Sequence, residues 1–276
     1  MNRTLAVANQ KGGVAKTTTV ASLGAAFAEQ GLRVLLVDLD AQSCLTFSLG
    51  VDPDEVAASV YDVLVGRAAA GDALLRVADG PPAPVDLLPA TIDLSTAEAA
   101  LLGREGREFV LRDALAPIRG RYDVILLDCS PSLGVLTLNA FAAADEVLVP
   151  LQCEMLSHRG VGQLLDTVAD VQRLLNPGLV VRGALPTMFD GRATHARAVL
   201  DDVAQRYALP VLEPPIPRSI RFAEAPAAGQ TVLQTARTSR GAQAYREVAA
   251  GLLRAWRITP GRRRRTAKAV VQVAPD

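Results

Sequence analysis

One stretch near the N-terminus limits the folds open to this chain. Leu5–Ala8 is a short apolar run, followed by Asn9-Gln10-Lys11-Gly12-Gly13-Val14-Ala15-Lys16-Thr17-Thr18-Thr19. A helical pattern starts at once over Thr18–Glu29, with Val20, Leu23 and Phe27 on one face and Gly31 placed to stop it. In the order strand, glycine loop, Lys-Thr, helix, backbone N–H groups can surround a phosphate and the helix N-terminus adds a favourable dipole. Lysine usage points the same way. Three of the 29 basic residues are lysine, and two of these, Lys11 and Lys16, lie in this loop. A compact ammonium on a flexible stem enters a tight turn where a planar guanidinium does not replace it.

The rest of the chain repeats the alternation. Continuous apolar runs, as in strands buried on both faces, occur at Arg33–Asp38, Val85–Leu88, Val124–Asp128, Glu146–Leu151, Val180–Leu185 and Val211–Leu212. Helical segments are predicted at Ser95–Leu102, Glu108–Ala116, Leu136–Ala143, Gly160–Leu175, Ala193–Tyr207 and Gly241–Trp256. This pattern predicts an α/β fold: one phosphate-loop NTPase domain, residues 1–257, with a mostly parallel twisted sheet flanked by helices on both faces. Residues 258–276 are expected to form a basic, flexible tail.

Half the residues are apolar and 4% aromatic, so the core must be aliphatic. The formal charge is zero but unevenly placed: the last sixteen residues carry Arg262, Arg263, Arg264, Arg265 and Lys268 against Asp276 alone. Affinity for a polyanion must therefore come from local patches or that tail. Cys44, Cys129 and Cys153 are widely spaced and odd in number, which excludes a disulfide framework and suits a reducing cytoplasm. No apolar stretch approaches the ~18–20 residues of a membrane span.

Within the loop, Lys16 is placed to reach the β- and γ-phosphates, and Thr17 to offer its hydroxyl to Mg²⁺, with Thr18 beside it. The strict G-x-x-x-x-G-K-[ST] spacing fails twice: Gln10 and Ala15 stand at its glycine positions. Gln10 suits a variant K-G-G-x-x-K-[ST] loop, in which Lys11 precedes the glycines. At Ala15 the cost depends on the backbone. A positive φ costs alanine roughly 1–2 kcal/mol, and a negative φ costs almost nothing; the residues leave both open. Further on, Asp38 and Asp40 end one apolar run and Asp128 ends another, at the strand ends where open α/β sheets bind ligands.

The segments NQKGGVAKTTT, VLLVDLDAQ, YDVILLDCSPSLGVLTLNA, PTMFDGR and IPRSIRFAEAPAAG together resemble the ParA/Soj partition ATPases, relatives of MinD, over about residues 4–256. The first strand begins at once, as in the short, Soj-like subgroup. The resemblance implies ATP and Mg²⁺ as cofactors, held by Lys11, Gly12, Gly13, Val14, Ala15, Lys16, Thr17 and Thr18. Thr17 and Asp128 serve the metal, with Asp38 supporting its shell. Asp40 positions the attacking water, and Lys11 crosses to the partner's nucleotide in an ATP-bound homodimer. Met188, Phe189, Asp190 and Pro217 form the adenine end. Hydrolysis is expected to be slow and stimulated by a ParB-like centromere-binding protein.

Members of this family bind nonspecific double-stranded DNA as ATP dimers, and Arg218, Arg221, Arg237 and Arg240 are the residues expected to meet its phosphates. The protein is expected in the cytoplasm, on the nucleoid. A MinD-like membrane regulator is the alternative, disfavoured because Leu252, Leu253 and Trp256 read as core residues and the tail lacks large apolar side chains. A metabolic ligase of the same superfamily, and a relative whose nucleotide binding Ala15 has weakened, are the other readings.

Overall fold

The structure, a computed structural model, describes residues 2–78, 83–153, 157–191 and 194–259. The tail beyond residue 259 lies outside the described residues.

Seven strands form one sheet: β1 (Arg3–Val7), β2 (Val34–Leu39), β3 (Leu75–Ala78), β4 (Val85–Leu88), β5 (Val124–Cys129), β6 (Glu146–Gln152) and β7 (Val180–Thr187). Their order is β3-β4-β2-β5-β1-β6-β7. Only β3 runs antiparallel, against β4. The predicted α/β architecture with a mostly parallel sheet is therefore the observed one. Two differences stand out. Val211–Leu212 is not a strand; Val211 makes a single parallel bridge to Ala184. The run is too short to build a ladder, and prolines follow it. Strand β3 was not anticipated, because Leu-Arg-Val-Ala is brief and only partly buried, as an edge strand is.

Each central strand is buried on both faces, so its side chains divide between two cores. Leu5, Val7, Leu36 and Leu126 face the helices Lys16–Glu29 and Arg240–Trp256, packing with Leu23, Phe27, Tyr245 and Trp256. Ala6, Leu35, Val37 and Leu127 face the opposite layer, where the helices Val110–Arg119, Val135–Ala143 and Ser157–Leu174 contribute Leu115, Phe141 and Leu164. A smaller cluster joins Leu151 and Ala184 to Val199 and Val203 of the helix Thr194–Tyr207. The first helix lies very close to β2: a Cβ at Gly24 would fall 2.8 Å from Leu36 Cδ2.

The C-terminal helix is anchored at both ends. Tyr245 is fully buried, its hydroxyl 3.0 Å from that of Thr19. Trp256 packs against Phe27, ring centroids 5.6 Å apart, and donates Nε1–H to Glu146 at 2.9 Å. The same buried carboxylate accepts two bonds from Arg182. Leu252, Leu253 and Trp256 are thus core residues.

Strand order places β1 between β5 and β6. The crossover from β5 to β6 passes β1 and opens a crevice at the strands' C-terminal ends, where doubly wound sheets receive ligands.

Candidate nucleotide-binding site

The loop after β1 enters that crevice. Its conformation comes from two left-handed residues, Gly13 at φ 73° and Ala15 at φ 66°, ψ 34°. The backbone at position 15 is therefore the costly one for alanine, by about 1–2 kcal/mol. A Cβ added at Gly12 or Gly13 meets no atom within 4 Å, so the exposed glycines border open space.

Surrounding elements hold the loop's other polar groups. Asn9 donates Nδ2–H to the Pro150 carbonyl at 2.8 Å and accepts the Lys11 N–H at 3.0 Å. Thr187, the buried last residue of β7, donates its hydroxyl to the Val14 carbonyl at 3.0 Å. Lys16 is buried, with Nζ 3.2 Å from the Lys11 carbonyl. Burial pushes its ammonium below the usual lysine range, while Asp128, Cys129 and Asp40 act to raise it. A lysine so placed is poised for anionic oxygens.

The carboxylates converge from two strands. Asp38 and Asp128 are paired in the parallel register of β2 and β5, and Val7 pairs with Asp128 from β1. Asp38 is fully buried and hydrogen-bonded. Its Oδ2 accepts from the Thr46 N–H at 2.9 Å and hydroxyl at 2.8 Å, and Oδ1 from the Asp40 N–H at 3.2 Å. The Thr46 hydroxyl also accepts the Ala90 N–H at 3.0 Å. Asp38 thus holds the β2 turn in shape. Burial raises its carboxyl to about 6, against the pull of the Thr46 and Asp40 hydrogen bonds. Asp40 is half-buried, and its Oδ1 accepts the Gln42 N–H at 3.0 Å.

Asp128 differs. Both its oxygens are buried without a hydrogen-bond partner within normal distance, although the nearby Thr17 hydroxyl favours its ionised form. Burial, and then the Asp38 charge, push its pKa well above the carboxylate range. An orphaned buried carboxylate beside a hydroxyl fits a divalent cation. Among the described residues no group of three or more His, Cys, Asp or Glu side chains is arranged to hold a metal. The donor set fits Mg²⁺ that keeps water and phosphate oxygens as its remaining ligands.

Of the four residues expected at an adenine end, Phe189 and Pro217 meet in the structure. Met188 turns the chain at φ 48°, Phe189 bridges Pro217, and the Phe189 N–H donates to Ile216 O at 2.9 Å. Met188, Phe189 and Pro217 are half-buried and Asp190 is exposed. The four arginines are all exposed. Arg240 opens the C-terminal helix. A Cβ at Gly241 would lie 2.5 Å from Phe222, which sets Arg221 and Arg240 on neighbouring segments. Arg221 also pairs with Glu224 at 2.9 Å in the open, a contact of small worth. The Arg218 N–H is directed to the Phe189 carbonyl.

Asn9, Thr187 and Tyr245 act on the loop and were not singled out from sequence. Asn9 precedes Lys11 by two residues, a spacing that suits a local Asn turn and was the readable signal. Thr187 lies in the PTMFDGR segment, but nothing in that segment ties its hydroxyl to Val14, 173 residues away, and Tyr245 carries no signal. A cleft of about 380 Å³, lined by Ala25, Leu36, Leu49, Val85, Leu233 and Arg237 among others, lies on a different surface and shares no residue with the loop.

Comparison with known proteins agrees with this geometry. Residues 2–181 match the AAA_31 family, an AAA domain. Over 249 residues the chain is 42% identical to the sporulation initiation inhibitor protein Soj of Bacillus subtilis, spanning 90% of this chain and 97% of that protein. It is 44% identical over 249 residues to the chromosome partitioning protein ParA of Caulobacter vibrioides, spanning 90% and 92%. A solved structure named cobyrinic acid a,c-diamide synthase, from Mycobacterium smegmatis with bound ADP and magnesium, is 58% identical, covers 95% of this chain and 98% of its own, and superposes with a TM-score of 0.83. The septum site-determining protein MinD of Pyrococcus horikoshii, complexed with Mg-ADP, is 27% identical with a TM-score of 0.73, covering 94% and 99%. With a lysine-bearing loop, two strand-end carboxylates and near full-length identity to Soj and ParA, the chain belongs to the ParA/Soj partition ATPases, a branch of the phosphate-loop ATPases related to MinD.

Proposed function

We propose that this protein is an ATP-driven DNA-partitioning switch. The observation that carries the reading is the convergence of Lys16, Thr17, Asp40 and the unpartnered Asp128 at the ends of β1, β2 and β5. ATP lies along the loop with its adenine toward Met188, Phe189, Asp190 and Pro217. Mg²⁺, when bound, neutralises charge on the phosphate oxygens. Thr17 and Asp128 hold it, and Asp38 fixes the turn that carries Asp40. Asp40 orients the attacking water, and Lys16 stabilises charge on the phosphates.

Lys11 completes the site of a second copy, so ATP binding favours a sandwich homodimer. The dimer doubles the surface of Arg218, Arg221, Arg237 and Arg240, which binds nonspecific double-stranded DNA through phosphate contacts. Hydrolysis is slow, and a ParB-like partner stimulates it and releases the DNA. The working place is the nucleoid. The buried C-terminal helix face supports this over a MinD-like membrane role. Among the described residues no helix is long and apolar enough to cross a membrane.

The test is retention on random-sequence DNA with ATP, with ADP and without nucleotide, at low and moderate salt. ATP-dependent retention that falls steeply with salt is expected. Equal retention in all three states overturns the switch.

The name of the 58% identical M. smegmatis structure motivates a second reading, an ATP-dependent amidating ligase. Incubating the protein with cobyrinic acid, an ammonia source and Mg-ATP decides it: an amidated product supports the ligase, and its absence alongside DNA-dependent ATP turnover supports the switch.

A further inference from the structure

We infer that Thr187 is a positioning residue that holds the Val14–Ala15 peptide against a flip, thereby keeping the phosphate loop in its binding shape; this rests on the nucleotide site proposed above. Two observations meet at this peptide. Its carbonyl, on Val14, accepts the Thr187 hydroxyl at 3.0 Å, between two fully buried groups 173 residues apart in the chain. Its nitrogen belongs to Ala15, which sits at φ 66°.

In a trans peptide the carbonyl and the following N–H point in opposite directions. With the Val14 carbonyl turned to β7, the Ala15 N–H points away from β7, to the side offered to a phosphate. Rotating this peptide by a half-turn changes ψ of Val14 and φ of Ala15 together. The flip carries Ala15 out of the left-handed region into negative φ, which relieves its strain. It also reverses the N–H and removes a donor from the cradle. A glycine at position 15 has no such incentive, because it accepts positive φ without cost. The alanine therefore makes the loop depend on an outside restraint, and the Thr187 hydroxyl is the group that supplies it. Met188, the next residue, turns at φ 48° toward the adenine end, so one short segment serves both ends of the nucleotide.

The experiment is a double-mutant cycle of Thr187→Val and Ala15→Gly, with Thr187→Ser as the conservative control, read by Mg-ATP titration of the full chain. Losing one hydrogen bond predicts that Thr187→Val weakens binding about 3- to 10-fold in the Ala15 background. Thr187→Ser is expected to stay within about twofold of wild type, since its hydroxyl survives. In the Ala15→Gly background the Thr187→Val loss is expected to shrink to about twofold or less. An equal loss in both backgrounds overturns the inference, because the hydroxyl then only supports the fold. Wild-type affinity in Thr187→Val overturns it as well.

A second readout needs no nucleotide. Relaxation dispersion at the Ala15 amide is expected to show microsecond–millisecond exchange in Thr187→Val and not in wild type. Should wild type fail to bind Mg-ATP, the nucleotide reading falls, and this measurement alone decides the restraint: a quiet Ala15 amide in Thr187→Val overturns it.

Discussion

Asp38 and Asp128 are direct neighbours in the parallel register of β2 and β5, two buried carboxyls on one face of the sheet. Burial raises Asp38 to about 6 and Asp128 well above the ordinary carboxylate range. A carboxyl whose folded pKa exceeds its unfolded value binds more protons when folded, so its contribution to stability falls as pH rises. For Asp38 the fall starts near the unfolded value, about 4, and is complete above its folded value of about 6. For Asp128 it extends higher. In metal-free protein, Asp128→Asn is expected to melt increasingly above wild type as pH is raised from about 4 to 8, by a few degrees at the top, or ~1 kcal/mol. Thermal melts of both proteins across that range check it. A difference that does not change with pH would sink the prediction.

Lys16 and Lys11 are expected to separate two steps. Lys16→Ala removes the buried ammonium and is expected to weaken ATP binding about 100-fold, or ~3 kcal/mol. Lys11→Ala is expected to bind ATP within about threefold of wild type, or ~0.6 kcal/mol, yet fail to dimerise. Nucleotide titration with analytical ultracentrifugation in ATP distinguishes them. Dimerisation of Lys11→Ala at wild-type concentration would refute its role across the interface.

Tyr245→Phe keeps the ring, which stands edge-on to Phe222 at 5.8 Å, and deletes only the hydroxyl bound to Thr19. It leaves the Thr19 hydroxyl buried and unpaired, at an expected cost of about 1–2 kcal/mol in stability. Tyr245→Ala also opens a cavity and is expected to cost about 3–5 kcal/mol. Urea denaturation of the three proteins checks the order.

Glu146 is the shared acceptor for Arg182 and Trp256. Glu146→Ala leaves a partly buried guanidinium and a buried indole N–H without an acceptor, an expected loss of about 2–3 kcal/mol. Arg182→Met leaves the more deeply buried Glu146 carboxylate with only the Trp256 N–H and is expected to cost about as much, ~2–3 kcal/mol. Replacing both, Glu146→Gln with Arg182→Met, leaves no buried charge and is expected to cost less than either single change. Urea titration of the three variants is the test, and a double-variant loss equal to the sum of the singles would contradict it.

Replacing Arg221 and Arg240 together with alanine is expected to lower the salt dependence of DNA retention by about four phosphate contacts per dimer. ATP binding is expected to stay unchanged. Retention measured against salt concentration gives the slope directly; an unchanged slope would move the DNA surface elsewhere.

The parallel core was readable because a strand buried on both faces is an unbroken apolar run. That rule found the six parallel strands with small boundary shifts, and the loop followed from its glycines and lysines. It failed where local pattern and structure part company. β3 is a partly buried edge, so its four residues carry no run. Val211–Leu212 has the run but not the length. The site divides similarly. Lys16, Thr17 and Asp128 stand in motifs that announce their chemistry, whereas Thr187, although within the PTMFDGR segment, reaches Val14 through the order of strands in the sheet. Nothing near either residue announces that contact. Ala15 was visible as an exception, but the sign of its φ is decided by the path of the loop between β1 and the first helix.

The bond between Thr19 and Tyr245 spans 226 residues, and it sets a schedule for synthesis. While the chain is still emerging from the ribosome, the helix that follows the loop has its apolar face, Leu23 and Phe27 included, waiting for a cover that comes last. A nascent chain truncated before residue 240 lacks the cover formed by Tyr245 and Trp256. The helix that carries the loop therefore gains its full packing only once residues 240–256 have been made.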